Sequence, residues 1–352
     1  MQKISFISQL LRNKLPVGSE IELHLFELCN LRCHFCGQDH EDKTGFNEIL
    51  NKINPVVEFI KNNSTQTHIL NIMGGEIFND DLSDAVFDDY FTLAYSINQF
   101  AISIGHNCIF NWVTNFIFKK TDRVSQFLQK LKDHHIIANL STSYDFAGRK
   151  NNLWSEDIFL SNLERFKSKI YTIGFVLTRP AIKILMSEDD ELFKKLYNNY
   201  PLYFDYYVPE GQAKLLMPSD QEMLDAFLFL AQKYPQVSPI KELLENNENK
   251  MTCYSLNKLT LLPNGREVKC RYMNYKEGQF THSIDYLSND NIIESHINEN
   301  GCLTCEWYNK CSFRCFVQAD WADRIKTDIC LFKTFFERTQ NHGIDNQADR
   351  KM

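Results

Sequence analysis

Between residues 21 and 208 the chain passes six times from a short apolar run of strand length to a longer stretch with helical spacing. The strand-like runs are 21–28, 68–73, 108–113, 136–140, 170–177 and 202–208. Between them, 47–62 carries Ile49, Ile53, Val56, Val57 and Ile60 on one side of a helix. A helix is expected over about 80–100, and another capped by Thr121, with Val124, Phe127, Leu128 and Leu131 on its apolar face. Further helices are expected over 155–166 and 187–197. Ser219-Asp-Gln-Glu222 is a capping box that opens a last one, to about Tyr234. This alternation predicts parallel strands with helices outside, and chemistry at the C-terminal ends of the strands.

The first strand run leads directly into Cys29-Asn-Leu-Arg-Cys33-His-Phe-Cys36. Three thiolates in one tight loop can hold three irons of a 4Fe–4S cube and leave the fourth iron open to a small molecule. The competing reading is a zinc site or a disulfide-bonded loop. Zinc prefers four ligands, and only His34 and His40 stand near enough in sequence to complete the set.

The other marked residues also follow strand ends. Gly74-Gly75-Glu76 ends the second strand: two glycines allow a close backbone approach, and a carboxylate can accept hydrogen bonds from an ammonium. Thr114-Asn115 ends the third strand. Ser141-Thr-Ser143-Tyr-Asp145 ends the fourth, where a polar turn explains each residue equally well.

Bulk properties narrow the functional classes. A net charge of −7 argues against a surface built for nucleic-acid backbones. No run of about 18 apolar residues is present, so no membrane span is expected. The N-terminus lacks a secretory h-region, and the expectation is a cytoplasmic protein. There, 11 cysteines point to metal rather than disulfides. Cys108 alone falls outside the cysteine patterns and reads as a buried small hydrophobe.

The last hundred residues contain Cys253, Cys270, Cys302-x2-Cys305-x5-Cys311-x3-Cys315 and Cys330. Pro263-Asn264-Gly265 reads as the turn of a hairpin between 258–262 and 267–271, which would bring Cys253 and Cys270 together. A pair of structural zinc sites is the alternative. The expected organisation is an N-terminal helix (1–18), a barrel (19–235), a polar linker (236–250), the cysteine-rich unit (251–335) and a tail (336–352).

Cys29-x3-Cys33-x2-Cys36, with Phe35 before the last cysteine, resembles the signature of the radical S-adenosylmethionine (SAM) superfamily. The seven later cysteines with Gly265 resemble the SPASM extension of radical SAM enzymes that modify peptides and proteins. The resemblance implies an α/β fold: a partial (β/α)6 barrel followed by a small SPASM domain binding two auxiliary clusters. It implies three 4Fe–4S clusters and SAM as cofactors. Cys29, Cys33 and Cys36 would hold the SAM-binding cluster, and Gly74, Gly75, Glu76, Ser143 and Asp145 would contact SAM. Gly74-Gly75-Glu76 is followed by Ile77, where the family often has proline. Cys253, Cys270 and Cys315 would hold the inner auxiliary cluster, and Cys302, Cys305, Cys311 and Cys330 the outer one. The inner set of three leaves an iron for a non-cysteine ligand or a substrate thiolate. The implied partners are a peptide or small protein substrate and an electron donor such as flavodoxin or ferredoxin. The implied reaction is hydrogen abstraction from a ribosomally made peptide to install a C–C, C–O or thioether cross-link. Oxidation of Cys or Ser to formylglycine, as in sulfatase maturation, is the alternative, and a non-catalytic metal scaffold the third. No catalytic acid or base is legible.

Overall fold

The computed structural model describes residues 19–146, 153–208, 213–245, 258–268, 297–308, 310–311 and 329–341. The expected helix at 3–14, together with Cys253, Cys270 and Cys315, lies outside the described residues.

Strand β1 (Ser19–His24) alternates as a half-buried strand should: Ile21 and Leu23 are in the core, while Glu20 and Glu22 face the other way and are partly exposed. Next come β2 (Thr67–Met73), β3 (Asn107–Val113), β4 (Ile137–Ser143), β5 (Ile170–Leu177) and β6 (Leu202–Tyr206). All pair in parallel, in the order β6-β5-β4-β3-β2-β1, and the sheet curls into a partial barrel. One face of every strand feeds the apolar core. Trp112 on β3, for example, packs edge-on to Phe127 at 4.9 Å and lies 5.5 Å from Tyr90.

Several elements differ from the sequence expectation. Pairing of β1 as a regular strand stops at His24, not at residue 28. The 47–62 segment opens as 3-10 turns (Thr44–Glu48, Leu50–Lys52) and becomes α-helical only in α1 (Ile53–Lys61). Pro55 explains this, since its ring tolerates the first helical turn but not a helix interior. Helix α2 is Asp84–Ser103 and α3 is Thr121–Asp133. Thr121 is the first helical residue rather than a cap; the Asp80 carboxylate instead accepts from the backbone N–H groups of Lys119 (2.9 Å) and Lys120 (2.7 Å).

Helix α4 (Glu156–Arg165) is capped by Ser155. A helix that pattern reading missed, α5 (Arg179–Ser187), follows, with Thr178 as its cap and Pro180 in its first turn. The chain breaks at Glu188, whose φ is 58°, and resumes as α6 (Glu191–Asn199) capped by Asp190. Helix α7 (Asp220–Lys233) has the expected capping box.

The first half of the expected linker is folded. Val237, Ile240 and Leu243 are buried, the last two in helix α8 (Ile240–Leu244). The backbone of Ser238 pairs with Leu202 and Phe204, covering the outer edge of β6. The hairpin is present as β7 (Lys258–Leu261) and β8 (Glu267–Val268), with Gly265 at φ 79° in its turn. It does not stand apart: β7 pairs in parallel with β1 and completes an eight-stranded sheet. Lys52, buried to 1% exposure, donates to the carbonyls of Leu262 (2.6 Å) and Pro263 (3.1 Å) and pins the turn to the chain that follows the cysteine loop. Helix α9 (Leu331–Asn341) packs on α7 through Phe227 with Phe332 and Phe335, and so runs past the expected start of the tail.

Candidate metal and cofactor site

The cysteine loop sits at the C-terminal end of β1 and is stitched to the neighbouring strand ends by backbone. Leu25 donates to Met73 O, Gly75 to Phe26 O and Glu76 to Leu28 O, each at 2.8 Å. This explains the paired glycines. A Cβ on Gly75 would lie 2.1 Å from Leu28 O, and one on Gly74 would lie 2.9 Å from Phe26 O. The close approach is to the cysteine loop itself.

Within the loop, Cys36 N donates to Cys33 O (3.1 Å) and Cys29 N to His40 O (3.0 Å). None of the three forms a disulfide, and all are partly exposed. Burial pushes the Cys29 thiol up to about 12, with the Glu76 carboxylate adding to the shift. A metal that binds there displaces a proton. Gln38 bridges the loop and β2: its Nε2 donates to Gly74 O at 3.4 Å, and its Oε1 lies 3.5 Å from Cys36 Sγ.

Glu76 is fully buried and spent on protein donors. Its Oε1 accepts from Phe78 N (2.9 Å) and Thr114 Oγ1 (2.5 Å), and its Oε2 accepts from Asn115 N (2.6 Å). The carboxylate that sequence reading aimed at an ammonium thus ties the end of β2 to the end of β3. Asn115, only glancingly marked in the sequence, completes the junction: its Nδ2 donates to Asn30 Oδ1 (2.8 Å) and to Cys29 Sγ (3.8 Å).

Ser143 and Asp145 lie one strand further round. The β3 and β4 ends are joined by Val113 pairing with Ser141 and by Thr114 N donating to Ser141 O (2.9 Å). Ser143 is half-buried and Asp145 buried.

Below this rim a polar ladder crosses five strands, unanticipated from the sequence. Ser141 Oγ donates to Asn111 Oδ1 (2.7 Å), Asn111 Nδ2 to Asn71 Oδ1 (2.9 Å) and Asn71 Nδ2 to Glu20 Oε1 (2.8 Å). Lys258 Nζ, from β7, donates to Glu22 Oε1 (2.8 Å) and lies 3.9 Å from Glu20 Oε2. Burial raises the Glu20 carboxyl and Lys258 opposes the shift. The available signal was a single Asn inside an otherwise apolar run, Asn71 in β2 and Asn111 in β3.

Of the later cysteines, Cys302, Cys305, Cys311 and Cys330 are described, half-buried and in no disulfide. Trp307, between Cys305 and Cys311, stacks on Phe336 of α9 at 5.0 Å, and Cys330 immediately precedes that helix. Trp307 therefore docks on the middle of α9. Burial raises the Tyr308 hydroxyl, with the Cys302 and Cys311 thiols close enough to add to it. Cys108 is buried on β3, near the end of the strand remote from Thr114. Among the described residues, no three Cys, His, Asp or Glu side chains converge tightly enough for a single metal ion. Three thiols in one short loop are a donor set of the kind that fits iron–sulfur ligation.

Comparison by sequence finds no matching family model and no matching curated protein. Comparison by structure does find relatives. Native anSMEcpe with bound AdoMet and Cp18Cys peptide matches with a TM-score of 0.62 at 14% identity, over 94% of this chain and 99% of that one. Histidine-tagged anSMEcpe with bound AdoMet matches with a TM-score of 0.64 at 15% identity, over 95% and 96%. These are structures of an anaerobic sulfatase-maturating enzyme, a radical SAM SPASM enzyme. The chain shares the fold of these structures. A third structure, native anSMEcpe with bound AdoMet and Kp18Cys peptide, matches with a TM-score of 0.61 at 15% identity, over 93% and 99%. The likeness covers 93–95% of this chain.

Proposed function

We propose that this protein is a radical SAM maturase that oxidises a side chain of a peptide or small protein. The observation that carries the reading is the Cys29–Cys36 loop, locked to the C-terminal rim of a parallel half-barrel by Gly75, Glu76 and Asn115. When bound, a 4Fe–4S cluster on Cys29, Cys33 and Cys36 supplies the electron that cleaves SAM, and the 5′-deoxyadenosyl radical so released removes a hydrogen atom from substrate. The chain's own residues bind, orient and exclude water. Gly74, Gly75 and Glu76 would form the rim that receives SAM, with Ser143 and Asp145 contacting it from β4. Cys253, Cys270 and Cys315 would hold an inner auxiliary cluster and Cys302, Cys305, Cys311 and Cys330 an outer one, groups that could accept the electron an oxidative reaction sheds. Flavodoxin or ferredoxin is the electron donor we propose. Thiols kept reduced for iron suit the cytoplasm. Among the described residues, no helix is long and apolar enough to cross a membrane.

The product we propose is a cross-link on a ribosomally made peptide. Formylglycine formation is the second reading, favoured by the end-to-end likeness to anSMEcpe structures holding peptides. The test is anaerobic reconstitution, then SAM cleavage assayed alone and with candidate peptides, including any small peptide encoded beside this chain. A cross-link removes two hydrogens without an aldehyde; formylglycine gives a hydrazide-reactive carbonyl. A reconstituted, reduced protein that leaves SAM intact overturns the enzyme reading in favour of a metal scaffold.

A further inference from the structure

We propose that the side-chain amide of Asn115 tunes the first cluster, its N–H hydrogen bond to Cys29 Sγ raising that cluster's reduction potential. The inference rests on the assignment of Cys29, Cys33 and Cys36 to a cluster, and goes beyond it.

Four hydrogen bonds fix which way the amide faces. Asn115 Oδ1 accepts from Ile117 N at 2.8 Å, so the NH2 end must point the other way. There it meets Asn30 Oδ1 at 2.8 Å and Cys29 Sγ at 3.8 Å. Asn30 is oriented in turn, because its own Nδ2 donates to Ile117 O. Flipping Asn115 would set its oxygen against Asn30 Oδ1 and its NH2 against the Ile117 N–H. The donor aimed at sulfur is therefore built in.

The surrounding backbone is held at some expense. Phe116, the next residue, has a φ of 60°, a left-handed conformation uncommon for a bulky side chain. The buried Asn162 holds it there, with Nδ2 donating to Phe116 O (2.9 Å) and Phe118 O (2.8 Å). Strain of this kind persists where the surroundings over-determine it, commonly at functional sites. Here it turns the chain so that Asn115 meets three partners at once: the Cys29 sulfur by its side chain, Asn30 by the same amide, and Glu76 by its backbone N–H.

The electrostatic consequence follows from charge. Reduction places one more negative charge on the cluster and its thiolates. A donor aimed at a ligating sulfur stabilises that charge, and iron–sulfur potentials follow hydrogen bonds to sulfur. Asn115 is 7% exposed, so little water competes. Leu31 N–H, 3.4 Å from the same sulfur, acts in the same sense. The buried Glu76 carboxylate acts in the opposite sense, and the Asn115 backbone N–H moderates it. One residue thus sets both contributions, and its side chain can be changed without touching the backbone bond to Glu76.

The test is an EPR-monitored redox titration of the anaerobically reconstituted full chain. The signal of the first cluster is identified by its loss when Cys29, Cys33 and Cys36 are all replaced by alanine. Asn115→Leu removes the donor at similar volume. Asn115→Asp removes it while keeping the oxygen that accepts from Ile117, and adds negative charge. Both should shift the midpoint to more negative values. The shift for Leu should reach up to about tenfold in the reduction equilibrium, which is about 59 mV for a one-electron couple, and Asp should shift it further. Asn30→Ala, which frees the amide to rotate, should move it the same way by less. An unchanged or raised midpoint in Asn115→Asp, with iron content equal to the parent, overturns the proposal. If the triple cysteine variant retains every signal, the cluster assignment itself fails, and the two failures are told apart by that control.

Discussion

At the scale of single residues, the site is built from groups whose roles are set by what they touch. Gly75 is required by the carbonyls of Glu27 and Leu28, 2.3 and 2.1 Å from where a Cβ would stand. Gly75→Ala should push the cysteine loop off β2, costing about 1–3 kcal/mol by overpacking and lowering iron uptake. Gly105→Ala is the control. Gly105 also has a positive φ, 78°, but nothing lies within 4 Å, so the cost should stay near ~1 kcal/mol with iron uptake intact. Thermal melts and iron assays on both variants separate close approach from backbone conformation. Glu76→Gln should lower stability by roughly 1–3 kcal/mol, because the new NH2 would face at least one N–H or O–H donor in a buried site. Its SAM affinity, by titration calorimetry on reconstituted protein, should also fall; a drop in melting temperature with unchanged SAM affinity would make Glu76 purely a clasp between strands.

At the scale of elements, the lower end of the sheet carries a histidine that the fold keeps neutral. His68, at the start of β2, hydrogen-bonds through Nδ1 to the Ser19 hydroxyl and through Nε2 to His106 Nδ1 at 3.0 Å. Burial, with His106 adding to it, lowers His68 from 6.5 to about 4. The unfolded chain then binds a proton between pH 6.5 and 4 that the folded chain does not. Stability contributed by neutral His68 is complete above about pH 6.5, is lost as pH falls towards 4, and amounts to roughly 3 kcal/mol at most. In His68→Gln the fall in melting temperature over that range should be shallower than in the parent. Identical pH profiles would show that His68 does not set the acid limit. The same strands legibly alternate in sequence, but the break between α5 and α6 is set by Glu188 at positive φ and Asp190 as a cap. Helical spacing alone found the second helix, starting it four residues early at 187, and missed the first.

At the scale of the whole molecule, the hairpin is the joint. Because β7 pairs with β1 and Lys258 reaches Glu22, the hairpin is spliced into the barrel sheet rather than tethered to it. The hairpin turn and the cysteine loop both lie at the C-terminal end of β1, where Lys52 joins them. Reconstituted protein should carry about 12 iron and 12 sulfide per chain, and about 8 of each after Cys29, Cys33 and Cys36 are replaced by alanine. Replacing Cys302, Cys305, Cys311 and Cys330 should also leave about 8. Stoichiometric zinc in protein purified without oxygen would count against both.

The sequence alone was sufficient for the strand–helix alternation, the capping box at Ser219 and the hairpin turn at Gly265. Each of these is written in residues a few positions apart, through side-chain periods of two and 3.6 and through turn spacing. The tertiary structure alone decided that Glu76 is clasped by Thr114 and Asn115, that Asn115 faces Cys29, and that Lys258 closes the ladder on Glu22. Those partners lie 38, 39, 86 and 236 residues apart in the chain. No local pattern marks an Asn or a Glu for a partner that distant. The pairing exists only once parallel strands have brought their C-terminal ends side by side.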